Sequence, residues 1–512
     1  MDDTDRGPTL RMGTASGRWV LLVTVLGSGM AMLDATVVNI ALERIGTDLD
    51  ASFAGLQWTV NGYTLTLAGL ILLGGSLGDR FGRRRIFLIG VVWFALASLL
   101  CGLAPNIGTL VAARMLQGVG GALLTPGSLA IISASFRGPD RAAAIGAWSG
   151  LGGVAGAIGP FVGGWLVEWS WRAVFLINVP FAVALVVLAL RHVPESSDPR
   201  AASSLDVPGT VLVVLALGSL TWSLTAAGEG GAGALSIGVG AVGVVLLALF
   251  FLAERRSTHP LVPGELFANA RFTATNVVTL LVYGAMGVLF FLLVLQLQVV
   301  AGFSPLASGT ALLPVTVLML LLSARSGRLA TRIGPRIPMA VGLTVAAVGL
   351  LLLLRVGPDA SYWTDVLPAV AVFGLGLAGV VAPLTATVLD SAADRHAGVA
   401  SGVNNAIARA AGLLTVALVP AVTGLSGDAY TDPGAMNAGF RTAIMAAAGL
   451  LLAGALLSVI AVRGPLGAAP ETPAPEGAPP PAADDVDTAV LSHCAVSGPQ
   501  LHAADPAARS GR

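Results

Sequence analysis

The sequence predicts an all-α polytopic membrane protein, and three observations carry that expectation. Of 512 residues, 55% are hydrophobic and only 11% charged, whereas soluble domains are about 25% charged. Apolar runs long enough to cross a bilayer as helices, roughly 20 residues for a core of about 30 Å, recur along the chain. Arginine crowds into alternate connections between those runs. The mean hydropathy of +0.84 agrees. Net charge is zero, so no basic excess points to nucleic acid. All 28 basic residues are Arg, which reads, with the Ala, Gly and Val excess, as composition bias rather than function.

Fourteen runs fall near 19–41, 56–78, 86–104, 108–132, 142–166, 171–190, 206–226, 234–253, 273–298, 306–324, 337–356, 366–388, 399–424 and 440–462. The first follows a short segment, 1–18, and lacks a small-residue cleavage site, so it reads as a membrane helix and not a removable signal. Its stretch GMAMLDATVVNIAL holds the one charge between Arg18 and Glu43, Asp34. Asp34 lies roughly 22 Å along the helix, where a charged carboxylate is costly. An acid that is protonated, or paired with a cation, according to which side is open is a coupling device. A neutral Asp bonded to a neighbouring helix is the alternative.

The second run opens with Gln57, Trp58, Asn61 and Tyr63. Trp58 and Asn61 share a helix face with Leu65. Trp58, Asn61 and Tyr63 are candidate substrate contacts, although Trp and Tyr are also ordinary at a membrane interface. The connection to the third run reads GGSLGDRFGRRR. Gly75, Gly78 and Gly82 permit close approach and tight turning. Asp79 and Arg80 can make interhelical charged contacts, so Gly75, Asp79, Arg80, Gly82, Arg83 and Arg84 read as a conformational latch; simple retention of positive charge is the other reading. Arg114 in the fourth run keeps its charge and therefore needs water, a carboxylate or carbonyls. The fifth run places Gly152, Gly153, Gly156, Gly159, Gly163 and Gly164 along one helix, and small-xxx-small spacing allows close packing. Pro160 can kink that helix.

The sixth run closes a bundle, 19–191. The Gly-rich seventh and eighth form an inserted pair, 206–253, and the remaining six a second bundle, 273–462. In the ninth, Tyr283, Met286, Gln296 and Gln298 are further candidate substrate contacts. The thirteenth holds Arg409, to which no chemical step is assigned. No second acid lies deep in runs nine to fourteen. Beyond them, GPLGAAPETPAPEGAPPPAADD opens a Pro/Ala-rich tail, 463–512, expected to be disordered and cytoplasmic.

With a cytoplasmic N-terminus, inside segments hold 22 Arg and outside loops four, Arg44, Arg172, Arg355 and Arg441. The asymmetry places both termini in the cytoplasm. Cys101 and Cys494 lie in different environments, so no disulfide or metal spacing is expected. The five His form no metal or nucleophile constellation, and no phosphate-cradling loop exists, so neither an enzyme nor an ATP-driven machine is expected.

An internal repeat refines the architecture. GGSLGDRFGRRRIFL at 74–88 resembles SGRLATRIGPRIPMA at 326–340, offset by 252 residues, pairing Gly75 with Gly327, Arg80 with Arg332, Gly82 with Gly334 and Arg84 with Arg336. A looser echo sets QGVGGALLTP at 117–126 against FGLGLAGVVAP at 373–383. The repeat is eight runs apart, which gives 6 + 2 + 6 helices in two pseudo-symmetric bundles, a transporter architecture with its site at their interface.

Taken together, GSLGDRFGRRR, LDATVVNIAL, RMLQGVGGALLTP, GAIGPFVGG, WRAVFLINVPFA, GFSPLASGTALLP and GVASGVNNAIARAAG make the chain, from about 18 to 462, resemble the fourteen-helix drug:proton antiporters of the major facilitator superfamily. One departure is Ala155, where that family's pattern usually has Gly. The resemblance implies a part for Arg114 in proton transfer beside Asp34, and a cavity-shaping bend at Gly156, Gly159, Pro160, Gly163 and Gly164. It implies a monomeric exporter of the cytoplasmic membrane that moves small molecules against protons by alternating access, without cofactors and driven by the proton gradient. A lone acid in an apolar cavity suits a lipophilic, cationic drug or antibiotic. Export of one endogenous metabolite, such as a self-made antibiotic or siderophore, is the alternative, and a non-transporting sensor on the same fold a more distant one.

Overall fold

A computed structural model describes residues 10–198, 206–230, 233–256, 264–392, 397–462 and 464. The expected tail lies outside the described residues apart from 464. Fourteen long helices follow the apolar runs: α1 Ala15–Asp48, α2 Phe53–Phe81, α3 Arg83–Gly102, α4 Ile107–Ser135, α5 Gly138–Trp169, α6 Trp171–His192, α7 Val207–Gly230, α8 Ala234–Arg256, α9 Ala270–Val300, α10 Pro305–Ile333, α11 Arg336–Arg355, α12 Tyr362–Asp390, α13 Ala397–Thr423 and α14 Pro433–Ala461. No strand occurs among the described residues. Among the described residues, thirteen helices are long and apolar enough to cross a membrane; α5 is 32 residues long. Local chemistry sets the helix starts. Thr14, Ser52, Asn106 and Asp432 each accept a hydrogen bond from a first-turn backbone N–H, which satisfies a donor the helix leaves unpaired. Large apolar side chains such as Leu96, Leu100, Val183 and Leu235 face outward, as lipid contact requires.

The helices pack in two sets. Within α1–α6, α4 packs on α2 and α3, and α5 packs on α1. Within α9–α14, α12 packs on α10 and α11, and α9 packs on α13 and α14. The pair α7–α8 packs together, with α7 against both α2 and α13. The repeat seen in the sequence is also geometric. Gly82 and Gly334, the paired turn glycines, have φ of +107° and +80°, a region that L side chains avoid. A Cβ on Gly120 would stand 2.6 Å from the Phe94 nitrogen and 3.0 Å from the Gly90 oxygen; one on Gly376 would stand 2.3 Å from the Ala346 nitrogen and 2.6 Å from the Gly342 oxygen. The α3–α4 and α11–α12 contacts are thus the same backbone-to-backbone crossing, made twice.

Connections after odd-numbered helices gather at one end, and those after even-numbered helices at the other. The two sets join at the odd-loop end. There one continuous apolar core contains Val38, Phe53 and Leu56 of the first set and Phe291, Phe373 and Phe440 of the second. Toward the even-loop end the cores are separate: Val20, Phe87 and Ile132 anchor one, Phe272, Val388 and Val403 the other.

Candidate functional site

The apolar run that holds Asp34 buries it completely, and four other helices supply polar partners at that depth. Arg114 of α4 places Nη1 2.5 Å from Asp34 Oδ2. Gln117, one turn further along α4, donates from Nε2 to Asp34 Oδ1 at 2.7 Å, and Asn178 of α6 donates from Nδ2 to the same oxygen at 3.2 Å. The second layer closes the network. Arg114 Nη1 also donates to Gln117 Oε1 at 2.6 Å, and its Nε to the Thr59 carbonyl of α2 at 3.0 Å. Ser98 of α3 accepts from Gln117 and Asn178 and donates to the Phe175 carbonyl at 2.9 Å. The guanidinium lies 4.3 Å from the centre of the Tyr63 ring, a cation–π geometry.

Asp34 and Arg114 are 2% and 1% exposed, so this is a desolvated ion pair. Removing one partner of such a pair leaves a buried charge, at about 3–5 kcal/mol. The carboxylate accepts three hydrogen bonds, and a proton added at Oδ2 would occupy the place where Arg114 Nη1 stands. The arrangement can therefore exchange one cation, the guanidinium, for another, the proton. The two residues singled out from sequence meet; the three polar residues that complete the shell, Ser98, Gln117 and Asn178, were missed. Their signal was polarity inside apolar runs: Gln117 sits three residues after Arg114, and Asn178 interrupts WRAVFLINVPFA.

Other expected contacts are distributed more widely. Tyr63 lies under Arg114 and edge-on to Phe94. Trp58 packs with Leu65, Leu217 and Leu413 at the α2–α7–α13 seam. Asn61 is buried. Tyr283 and Met286 pack against the core that joins the two sets. Gln296 spends both amide hydrogens within the second set, on the Val356 carbonyl at 3.0 Å and Asn437 Oδ1 at 2.8 Å. Gln298, the other glutamine expected to contact substrate, crosses between the sets instead and donates to the Ile40 carbonyl at 3.1 Å, as Gln57 does to the Val416 carbonyl.

The glycine-rich connection is tied to the segment after α6. Arg83 Nε and Nη2 sit 2.8 and 2.7 Å from Asp79 Oδ1, pinning the Gly82 turn between α2 and α3. Glu195 accepts from the Arg84 and Arg85 backbone N–H groups, while Arg84 Nη1 donates to the Val193 carbonyl at 3.0 Å. Gly75 lies near Pro126, and Arg80 stacks toward Phe81. In α5, a Cβ on Gly159 would touch Leu33 at 3.2 Å, one on Gly163 would meet Val37 at 2.7 Å, and one on Gly164 would meet the Leu306 backbone at 2.5 Å. Gly309 approaches the Pro160 carbonyl as closely. Gly156 is in the same helix, in a stretch whose packing falls outside the described residues. Among the described residues, no cluster of His, Cys, Asp and Glu could hold a metal.

Residues 24–416 match the Major Facilitator Superfamily. The chain is 37% identical over 469 residues to the puromycin resistance protein pur8 of Streptomyces alboniger, covering 89% of this chain and 93% of that protein. It is 38% identical to the tetracenomycin C resistance and export protein of Streptomyces glaucescens, covering 80% and 77%. Identity to the multidrug resistance protein Stp of Mycobacterium tuberculosis is 35%, covering 75% and 72%. Among solved structures, a peptide transporter POT in complex with sulfate shares the fold at a TM-score of 0.66 and 15% identity, covering 91% of this chain and all of that one. An inward-facing bacterial homologue of the human lysosomal transporter Spinster shares it at 0.60 and 18%, covering 88% and 98%.

Proposed function

This chain belongs to the major facilitator superfamily, and from that membership we propose that it is a proton-coupled exporter of lipophilic drugs or antibiotics working by alternating access. Membership makes it a multi-pass membrane transporter rather than an enzyme. The observation that carries the proton coupling is the Asp34–Arg114 pair, buried and hydrogen-bonded within the first helix set. The paired state is the unprotonated one. A proton arriving at Asp34 displaces Arg114, which falls back on Gln117 and the Thr59 carbonyl; loss of the proton restores the pair. Because the network binds α1, α2, α3, α4 and α6 together, that exchange changes the packing of the whole first set.

Arginine placement supports a cytoplasmic even-loop end and cytoplasmic termini. With the halves joined at the odd-loop end, this conformation then opens inward, ready to take substrate from the cytoplasm. In this reading α5 is a fourteenth span, bundles 19–191 and 273–462 rock about their interface, and the monomer needs no cofactor beyond the proton gradient. Relatives named for a single antibiotic, such as the tetracenomycin C exporter, favour a second reading, a dedicated exporter of one metabolite. A cationic substrate, expected from the lone acid, would have to displace Arg114 from Asp34.

Transport into proteoliposomes under an imposed pH gradient tests the proposal, with puromycin, lipophilic cations and neutral antibiotics as the panel. Gradient-driven movement that Asp34→Asn reduces at least tenfold is the expected result. Movement of panel members that ignores the gradient, or an unaffected Asp34→Asn protein, overturns the proton-coupling assignment. Transport of one panel member alone favours the dedicated exporter.

A further inference from the structure

We propose that Arg409 is a receptor for an acidic group, so that the exported molecule carries a carboxylate, phenolate or similar oxyanion. The proposal rests on the exporter reading above and narrows its substrate class.

Arg409 stands about 18 Å along α13 from Ala397, near the middle of the helix. Its side chain is half-buried. It makes one hydrogen bond, from Nε to Asn405 Oδ1 at 3.1 Å, and no ion pair among the described residues. A guanidinium has five N–H donors and no means of discarding its charge. Such a group inside a membrane protein faces water or is met by an acid or carbonyls, and on the face of a transport cavity its water is what an acidic solute can displace. Arg114 shows what a satisfied one looks like here: fully buried, paired with a carboxylate, bonded to a glutamine and a carbonyl, and stacked on a ring. Asp34 cannot serve Arg409, because all its described bonds go to Arg114, Gln117 and Asn178. The Asp34 and Arg114 charges cancel, so Arg409 leaves this part of the interior net positive.

The surroundings favour the same ligand. Arg409 stands at the seam between the halves, because the adjacent Ala410 packs on the cluster that holds Leu65 of α2 and a Cβ on Gly412 would lie 3.9 Å from the Tyr283 carbonyl of α9; Tyr63 of the first set and Tyr283 of the second are within electrostatic range of its guanidinium. The Tyr63 hydroxyl is buried and has no hydrogen-bond partner among the described residues, leaving a donor near the guanidinium. Spare N–H and O–H donors around a fixed positive charge match an oxyanion and repel a cation. Tyr63 also links this site to the proton site, because its ring carries Arg114. An anion drawn to Arg409 is thus one aromatic ring away from the pair that the proton must break.

Three probes on one scaffold test this: anthraquinone-2-carboxylate, its methyl ester, and a trimethylammonium-methyl analogue. Binding is measured on the full-length protein in detergent by tryptophan fluorescence and calorimetry. The expected result is at least tenfold tighter binding of the carboxylate than of the ester, with the cation weakest. Arg409→Gln should erase that preference and Arg409→Lys keep part of it. Asp34→Asn should keep the preference while losing gradient-driven uptake, which separates failure of the acid receptor from failure of proton coupling. Equal binding of acid and ester, binding led by the cation, no binding of the carboxylate, or a preference that survives Arg409→Gln overturns the proposal. An Arg409→Gln protein that does not fold leaves the wild-type ranking and the lysine variant to decide it.

Discussion

Around Asp34, one amide organises two charges. Gln117 donates to the carboxylate and to Ser98 and accepts from Arg114, so it fixes the distance at which the pair meets. Leucine at that position would remove one of the two hydrogen bonds to Asp34 Oδ1 and one of those made by Arg114 Nη1, at about 1.5–3 kcal/mol for each hydrogen bond to a charged group. Gln117→Leu is therefore expected to lower thermal stability in detergent and to cut gradient-driven transport at least tenfold. Wild-type transport by this variant would mean that the amide does not hold the pair. The shell was only half legible in sequence because an Asp or Arg in an apolar run stands out, whereas Ser, Gln and Asn occur in membrane helices for many reasons. Only the crossing of α1 with α3, α4 and α6 shows which of them share one depth.

Between helices, glycine sets the closest approaches. At the α3–α4 and α11–α12 crossings the atoms that a Cβ would strike are backbone atoms, which cannot swing aside. Gly120→Ala and Gly376→Ala are expected to destabilise by similar amounts, about 1–3 kcal/mol each. Gly146→Ala, with nothing within 4 Å of its would-be Cβ, should be neutral or slightly stabilising through helix propensity. Melting midpoints of the three variants decide this, and a neutral Gly120→Ala would show that the crossing relaxes. The glycine repeat was visible in the sequence as a spacing; its meaning as a twice-made crossing was not, because spacing alone does not say which glycine faces a neighbour.

The molecule as a whole is held shut at one end. Tyr430 Oη donates to the Ala51 carbonyl at 2.8 Å, the Phe53 nitrogen donates to the Gly427 carbonyl at 2.9 Å, and Gln298 and Gln57 bridge deeper in. Burial, reinforced by the negative charge of Asp428, Glu43 and Asp50, pushes the Tyr430 hydroxyl up to about 12. A raised tyrosine stabilises this closed end fully below its ordinary value near 10 and loses that contribution as pH rises toward 12. Tyr430→Phe removes the bond without changing the packed ring, at about 1 kcal/mol, or roughly a fivefold shift in the balance between conformations. Spin labels at positions 50 and 428 should report a larger population with the odd-loop end parted. An unchanged distance distribution would show that the bond does not bias the equilibrium.

By itself the sequence determined the class, the run of helices, the internal repeat and the pair of charges on which coupling is proposed to rest. Each follows from local chemistry: apolar length suffices for a membrane helix, a turn demands glycine wherever it recurs, and an ionised side chain among hydrocarbons is conspicuous. Tertiary structure alone decided that Asp34 meets Arg114, that Ser98, Gln117 and Asn178 complete their shell, that Gln296 is tied up within its own half, and that Arg409 meets no acid among the described residues. Those outcomes depend on which faces of separate helices come to the same depth. That is set by packing across the whole bundle and is written in no single stretch of the chain.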